Sequence, residues 1–302
     1  MLTRKKRIGI IGLDTSHANT FTQLINDSDH ALHIPGGQVV VAFPGGSADF
    51  ELSSTRIGGF TDQMKSRSGI KIVGSPEEVA EASDAILLLS VDGRVHLEQF
   101  RSIASYRKPV FIDKPMAVSS THANAIAALA EEYGVPLMSC SALRYAEGLT
   151  EALTEEAAGE VIGMDCYGPM ALQATQPGLY WYGVHMAEML FRTLGKSCTK
   201  VVAVTTSEHE LISGVWENGM VGTIRGNRRG NEAFGALLHR ESKTCHIDVY
   251  GHPKSYYASL VDKIMRFFVT GKSDIAMEET LRIMRFLEAA NESRDTGRFV
   301  YL

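Results

Sequence analysis

The sequence predicts an α/β fold with two parts: an N-terminal domain built on a parallel sheet, and a C-terminal α+β domain with a mainly antiparallel open sheet. Three observations support this. A chain of 302 residues exceeds one typical core. In the first half, short apolar runs alternate with amphipathic segments, as in βαβ units. In the second half, strand-like runs follow one another around Asn218-Gly219, a strong hairpin signal. The expected domains are 1–145 and 146–302.

The first half contains six predicted strands separated by helices. The first apolar run, bounded by Gly12, is typical of a strand that is buried on both faces. Ser75-Pro76 opens a helix with a capping residue and a first-turn proline. The strands are expected at residues 7–12, 38–43, 70–73, 84–90, 109–113 and 135–140, and the helices at 18–26, from 75, at 96–104 and from 119 or 120 to 133. This alternation predicts a Rossmann-like sheet with helices on both faces.

The second half has a different pattern, with runs of strands and few intervening helices. Strands are expected at 160–167, 199–206, 212–216, 220–225, 244–250 and 299–302, and helices at 181–194, 257–268 and 277–293. Residues 168–179 are expected to form a loop, and this loop together with residues 225–240 is expected to shape the substrate pocket. Successive strands with helices on one face indicate an α+β domain.

Composition excludes several classes of protein. Hydrophobic residues make up 44% and charged residues 22%, which is ordinary for a globular chain. The net charge of −5 argues against nucleic acid or an anionic membrane as a partner. No apolar run is long enough to span a membrane, and the short run after Arg4–Arg7 fits a strand better than a signal peptide. Four scattered cysteines without a CxxC pair predict free thiols, a cytoplasmic location and no metal site.

The turn after the first strand resembles an incomplete phosphate-binding loop. A dinucleotide fingerprint has the form GxGxxG, but only Gly12 is present, with Asp14 and His17 in the other two glycine positions. The hydroxyls of Thr15 and Ser16, together with amides at the start of the helix, could hold an anion. The alternative is that Asp14 or Ser16 caps the helix.

The end of the second strand is the place where an acidic residue often binds the ribose of NAD. This chain has Pro44-Gly45-Gly46-Ser47 there, which could admit a 2′-phosphate, although no arginine follows until Arg56. NAD and NADP therefore both remain open, as does a plain turn.

Two further segments carry candidate catalytic groups. Lys114, in Asp113-Lys114-Pro115 at the end of the fifth strand, could hold a substrate oxygen or polarise a carbonyl, unless it is merely solvated. His185 and Glu188 have the i, i+3 spacing that places them on one helix face. His185 could act as a general acid or base. A metal site is disfavoured because no third ligand is apparent, and a structural role is the alternative.

These segments, in this order, resemble the Gfo/Idh/MocA family of NAD(P)-dependent oxidoreductases. The stretches that carry the resemblance are residues 6–12, residues 84–90 followed by His96, residues 111–115, residues 182–195 and residues 267–293. The resemblance implies a Rossmann domain followed by an α/β domain whose open sheet often forms the oligomer interface. It implies that Gly12 and the turn 13–17, with Ser47, Ser90, His96 and Lys114, face the cofactor.

The same resemblance implies catalytic roles and also shows departures. Lys114 would contact the substrate, and His185 would lie near the carbon that exchanges hydride. The family's aspartate four residues before the histidine is Trp181 here, and the one three residues after it is Glu188. The family's usual Glu is Asp113, and Val91-Asp92-Gly93 replaces its usual Thr-Pro-Asn. The chain is therefore a divergent member.

The expected function is hydride transfer between NAD or NADP and a sugar, polyol or related hydroxy compound. His185 would take the hydroxyl proton, Lys114 would stabilise the oxyanion, and Tyr180 or Tyr182 would replace the missing aspartate. The alternatives are a non-catalytic ligand-binding or scaffold protein, or cofactor-assisted lyase or hydrolase chemistry. The expected partners are a small-molecule substrate and further copies of the chain, in a homodimer or homotetramer formed through the C-terminal sheet.

A cluster of basic residues in the second half gives a separate expectation. Arg225, Arg228 and Arg229 could bind an acidic substrate or a cofactor phosphate, and a solvated, interface-facing hairpin explains them equally well.

Overall fold

The computed structural model describes residues 4–302, with Arg67 described by its backbone alone; residues 1–3 of the predicted first domain lie outside the described part. The chain divides into two compact units. Unit 1 contains the residues up to Ala117, Thr121–Cys140 and Tyr257–Met277. Unit 2 contains Val118–Ser120, Ser141–Tyr256 and Glu278–Leu302. The single boundary at residue 145 stays a prediction, and the segment Tyr257–Met277 belongs with unit 1.

Unit 1 is built on a parallel sheet of six strands. Its strands are β1 (Lys6–Ile11), β2 (Gly37–Phe43), β3 (Lys71–Ile72), β4 (Ala85–Leu88), β5 (Val110–Asp113) and β6 (Leu137–Cys140). Their order is β3-β2-β1-β4-β5-β6, with every pairing parallel. All residues of β4, β5 and β6 are buried, as their continuous apolar runs indicate. The predicted Rossmann-like sheet is confirmed.

Five helices connect these strands: α1 (Ser16–Asn26), α2 (Glu51–Ser68), α3 (Pro76–Ala82), α4 (His96–Ala104) and α5 (Ser120–Tyr133). Ser75 caps α3 by accepting a hydrogen bond from the Glu78 amide at 3.3 Å. The sequence reading missed α2 entirely. This helix is polar, contains Gly58-Gly59, and has no apolar stripe from which a helical period could be recognised.

Unit 2 contains a mixed sheet of seven strands. They are β7 (Val161–Pro169), β8 (Cys198–Thr205), β9 (His209–Trp216), β10 (Val221–Asn227), β11 (Gly235–Arg240), β12 (Thr244–Asp248) and β13 (Val300–Tyr301). Their order is β12-β11-β7-β10-β9-β8-β13, and only β10 and β7 pair in parallel. The predicted Asn218-Gly219 hairpin joins β9 to β10. Strand β11 was not predicted from the sequence.

Four further helices complete the described chain: α6 (Glu147–Thr154), α7 (Gly183–Leu194), α8 (Tyr256–Thr270) and α9 (Met277–Thr296). Helix α7 packs on β7 and β10 with an almost entirely buried surface. On the opposite face of the sheet, apolar side chains remain exposed, namely Val204, Leu211, Val221 and Leu237. No helix within residues 4–302 is long and apolar enough to cross a membrane.

Candidate functional site

The turn after β1 packs directly against the end of β4. Gly12 has φ +96°, and a Cβ at this position would lie 2.2 Å from the Ser90 amide nitrogen. The Gly12 and Leu13 amides donate to the carbonyls of Phe43 and Pro44 at 3.0 and 2.8 Å. The one fingerprint glycine that the chain retains is therefore required by close backbone packing.

The Asp14 carboxylate points into unit 1. It is fully buried, and it accepts hydrogen bonds from Ser53 Oγ at 2.6 Å and from the Val91 amide at 3.0 Å. Burial raises the pKa of Asp14, and these two hydrogen bonds act in the opposite direction. Asp14 therefore links the loops after β1 and β4 to helix α2. Ser53 could not be found from the sequence because α2 was not recognised.

Thr15 caps helix α1, which corrects the expectation that Asp14 or Ser16 would do so. Thr15 Oγ1 accepts a hydrogen bond from the His17 amide at 3.3 Å. Ser16 is exposed, and the first turn of α1 carries no acidic residue. The start of α1 therefore presents the positive end of a helix dipole without an acidic side chain of its own.

His17 connects the start of α1 to the end of β5. Its Nδ1 lies 2.6 Å from Asp113 Oδ2, its Nε2 lies 3.1 Å from the Tyr257 hydroxyl, and its ring stacks on Phe21. Burial acts to raise the pKa of Asp113, but the charge and hydrogen bond of His17, together with Lys114, hold it below its usual value. His17, placed at the position of the third fingerprint glycine, is thus committed to a buried pair within unit 1.

Lys114 is the next residue in the chain after Asp113. Burial lowers the pKa of the Lys114 ammonium, while the neighbouring Asp113 carboxylate acts in the opposite direction. A lowered pKa makes the neutral amine, which can accept a proton, more accessible near pH 7. Lys114 is thereby suited to exchange a proton with a ligand oxygen.

The end of β2 contains an unpaired buried hydroxyl. Gly45 and Gly46 both have positive φ angles, and the Ser47 amide donates to Ser53 Oγ at 2.8 Å. Ser47 Oγ is buried and has no hydrogen-bond partner among the described residues. Because the ribose of a dinucleotide binds beyond the carboxyl end of this strand, Ser47 Oγ is placed to bond a ribose hydroxyl.

The arginine near this turn is already paired with carboxylates. Arg94 contacts Asp92 at 2.7 Å and Asp49 at 2.8 Å, using both arms of its guanidinium on Asp49. A cofactor 2′-phosphate would have to compete with these two carboxylates for Arg94.

Ser90 and His96, both expected at the cofactor, are engaged with unit 1 itself. Ser90 Oγ donates to Gln99 Oε1 at 2.8 Å. His96 is fully buried, with Nε2 2.8 Å from the Ser90 carbonyl and Nδ1 3.1 Å from the Pro115 carbonyl. His96 therefore positions the ends of β4 and β5 and offers no exposed atom to a ligand.

In unit 2, His185 lies in the first turn of α7 and contacts a residue that the sequence reading missed. Its Nδ1 is 2.6 Å from Ser141 Oγ. The ring packs against Tyr182 and Phe234, with centroid distances of 5.8 and 5.2 Å. No sequence pattern links Ser141 to His185, because 44 residues separate them.

Glu188, one turn beyond His185, belongs to a buried charge cluster. Arg144 donates to Glu188 at 3.2 Å and to Glu279 at 2.5 Å. Burial raises the pKa of Glu188 to about 7, with Arg144 opposing this rise. His185 and Glu188 therefore lie on one helix face, as their i, i+3 spacing predicts, but the Glu188 carboxylate forms an ion pair with Arg144.

The two tyrosines expected to replace the missing aspartate have different environments. The Tyr180 hydroxyl is buried and donates to the Met284 carbonyl at 3.0 Å, and burial raises its pKa. Tyr182 is partly exposed beside His185 and stacks on Phe234. Of the two, Tyr182 has the environment of a ligand-contacting residue.

The arginine cluster is mostly paired internally. Arg228 forms an ion pair with the buried Glu210, and Arg229 contacts Glu208 at 3.1 Å. Arg225 is exposed on β10. Two of the three guanidinium groups already have carboxylate partners. This favours a structural role in the hairpin over binding of an acidic ligand.

The residues of unit 1 fit a dinucleotide in three respects. Asp14 is withdrawn from the turn, the start of α1 lacks acidic residues, and Ser47 presents an unpaired buried hydroxyl. Ser47 would hold the ribose, and Thr15 with the first-turn amides of α1 would hold the pyrophosphate. Among the residues described, no cluster of three or more histidine, cysteine, aspartate or glutamate side chains could hold a metal ion.

Comparison with known proteins identifies the class. Residues 6–140 match the Gfo/Idh/MocA family, described as an oxidoreductase family with an NAD-binding Rossmann fold. The match over this region confirms the resemblance that the motifs indicate. No curated protein sequence matches the chain.

Solved structures resemble the fold over the whole chain. GenD2 from gentamicin A biosynthesis, solved in complex with NAD, has a TM-score of 0.79 and 16% identity, covering 100% of this chain and 97% of that chain. Scyllo-inositol dehydrogenase from Lactobacillus casei has a TM-score of 0.81 and 14% identity, covering 100% and 99%. Myo-inositol 2-dehydrogenase from Lactobacillus plantarum has a TM-score of 0.79 and 14% identity, covering 99% and 100%.

Proposed function

We propose that this protein is an oxidoreductase that transfers a hydride between a nicotinamide cofactor and the CH–OH carbon of a sugar, polyol or related compound. The observation that carries the proposal is the inward Asp14 carboxylate. The residue that would repel a pyrophosphate is instead bonded to Ser53 and Val91, so the turn remains open to a dinucleotide. The pairing of Arg94 with Asp49 and Asp92 favours NAD over NADP.

The chemistry requires a hydride acceptor, a proton acceptor and a group that orients the substrate oxygen. Bound NAD would supply the hydride acceptor. Lys114 has a lowered pKa, which suits it to take the proton, and His185 has a ring nitrogen able to bond the oxygen. Support for a polyol comes from the inositol dehydrogenases among the similar structures.

Cofactor titration tests the proposal directly. We expect NAD to raise the melting temperature saturably, because a ligand that binds only the folded state at a hundred times its Kd adds about 2.7 kcal/mol of stability. NADP should bind more weakly. Absorbance of the reduced nicotinamide, followed with a panel of inositols, other polyols, sugars and sugar acids, then measures turnover.

The two competing functions give different results in the same measurements. A scaffold protein would show no melting shift with either cofactor at millimolar concentration. A lyase or hydrolase would bind cofactor and convert substrate without net accumulation of reduced nicotinamide. Stronger binding of NADP than NAD would contradict the cofactor preference alone.

We further propose that the open face of the unit 2 sheet forms a homodimer or homotetramer. Val204 and Leu211 lie exposed there as direct cross-strand neighbours on β8 and β9, with Val221 also exposed on β10, and exposed apolar surface of this kind marks interaction sites. Leu211→Glu should lower the molar mass measured by light scattering, whereas Val269→Glu, at another exposed apolar position, should not. An unchanged mass in Leu211→Glu, or a monomeric wild type, would contradict this interface.

The remaining proposals concern location and partners. All four cysteines are free thiols, which fits a reducing cytoplasmic compartment. Counting the free thiols of the unfolded protein, after purification without reductant, tests whether all four cysteines are reduced. The partners we propose are a small-molecule substrate and further copies of the chain, with neither nucleic acid nor membrane involved.

A further inference from the structure

Ser141 contacts both polar residues on the inner face of α7. Its hydroxyl lies 2.6 Å from His185 Nδ1, and its backbone amide donates to the Glu188 carboxylate. Ser141 has no exposed surface. One buried residue at the end of β6 thereby holds the first turns of α7 at two points.

The hydrogen bonds of the Ser141 hydroxyl define its direction. Its oxygen already accepts a hydrogen bond from the Leu143 amide at 3.2 Å, which caps the short 3₁₀ turn Ala142–Tyr145. The hydroxyl hydrogen then needs an acceptor, and within the described part of the chain His185 Nδ1 is the acceptor it reaches. A buried hydroxyl left without an acceptor is costly.

From this geometry we infer that Ser141 fixes the tautomer of His185, so that the neutral ring carries its proton on Nε2. Nδ1 must be unprotonated in order to accept from Ser141. The opposite tautomer would turn Ser141 Oγ into a double acceptor and leave its hydrogen unpaired. Ser141 is therefore a positioning residue that acts through His185.

This inference refines the division of roles in the proposed function, on which it rests. A neutral imidazole with Nε2–H stabilises negative charge on a substrate oxygen but does not remove its proton. Removal of the proton is then left to another group. The expectation from sequence, that His185 itself takes the hydroxyl proton, is replaced by a donor role.

Two substitutions of similar shape separate tautomer control from simple packing. Asparagine and aspartate both cap helices as well as serine does, so both should preserve the bond from the Leu143 amide. In Ser141→Asn the new side-chain amide can still donate to Nδ1. In Ser141→Asp the ionised carboxylate only accepts, so the ring must place its proton on Nδ1.

Nitrogen-15 spectra of protein labelled in its ten histidines report the tautomer, and loss of one signal set in His185→Gln assigns His185. We expect the Nε2–H form to exceed the other by about tenfold, the ratio expected from one buried hydrogen bond. Wild type and Ser141→Asn should share this form, and Ser141→Asp should invert it.

The outcomes decide the inference without reference to turnover. A wild-type ring protonated on Nδ1, or a Ser141→Asp ring protonated as in wild type, overturns it. Should Ser141→Asp not fold, Ser141→Ala replaces it, and loss of the tautomer excess there is the supporting result while retention is the contrary one. The spectra need no cofactor, so absence of cofactor binding would count against the proposed function and not against the tautomer.

Discussion

His185→Ala should lower kcat about 10²–10³-fold, the loss typical of removing one donor aimed at a developing oxyanion. The physical reason is that the ring, held by Ser141, would present Nε2–H to the substrate oxygen in a preorganised direction. The measurement is steady-state production of reduced nicotinamide with the substrate found by the screen. NAD affinity, measured by the melting shift, should change little.

His185→Gln is the matched variant for this prediction. A glutamine amide keeps an N–H donor at about the position of Nε2 but cannot act as a base near pH 7. We expect its kcat to lie within about tenfold of wild type, the effect of one imperfect hydrogen bond. Equal losses in the alanine and glutamine variants would instead identify His185 as the general base, and turnover unchanged in both would remove His185 from the reaction.

Arg144→Met should destabilise the protein by about 3–5 kcal/mol, because it leaves the buried Glu188 carboxylate and the partly buried Glu279 carboxylate without their shared cation. Methionine retains much of the apolar stem of arginine, so the loss reports charge rather than volume. Denaturant unfolding at pH 8 measures the change. The control is Arg229→Met, whose exposed pair with Glu208 should contribute at most about 1 kcal/mol.

The pH dependence of this loss follows from Glu188. Burial raises its pKa in the folded state to about 7, above the unfolded value of 4.5, so folding favours the protonated form. The stability that Glu188 contributes is therefore fully present below pH 4.5 and is lost as pH rises through 7. The cost of Arg144→Met should be smaller at pH 5.5 than at pH 8. An equal cost at both pH values would contradict the placement of an ionised Glu188 beside Arg144.

Patterns within a few residues were sufficient to predict most of the fold. Strands such as β4 and β5 are mostly apolar runs because both of their faces are covered. The start of α3 is predicted by Ser75 as the capping residue and Pro76 in the first turn. Helix α6 was also not predicted, and two of the missed elements have clear physical causes. Helix α2 buries little apart from Ser53 and Met64, so it lacks a periodic stripe. Strand β11 lies in a Gly- and Arg-rich stretch that resembles a loop.

For the candidate site too, local patterns predicted the positions of the residues but not their surroundings. Gly12, Lys114 and His185 occupy positions that local motifs identify, namely a glycine turn, the end of a strand and the first turn of an amphipathic helix. Their surroundings were not predictable from those motifs. His96 was expected at the cofactor and is instead fully buried between two backbone carbonyls.

The sequence by itself determined which elements form and which residues of special chemistry end them, because secondary structure follows from local propensity and periodicity. Only the tertiary structure decided what those residues do. Asp14 meets Ser53 across 39 positions, His185 meets Ser141 across 44, and His17 meets Asp113 across 96. Each of these contacts fixes the direction of a carboxylate or of a histidine ring. Such pairings depend on how elements distant in the chain pack together, which no local pattern encodes.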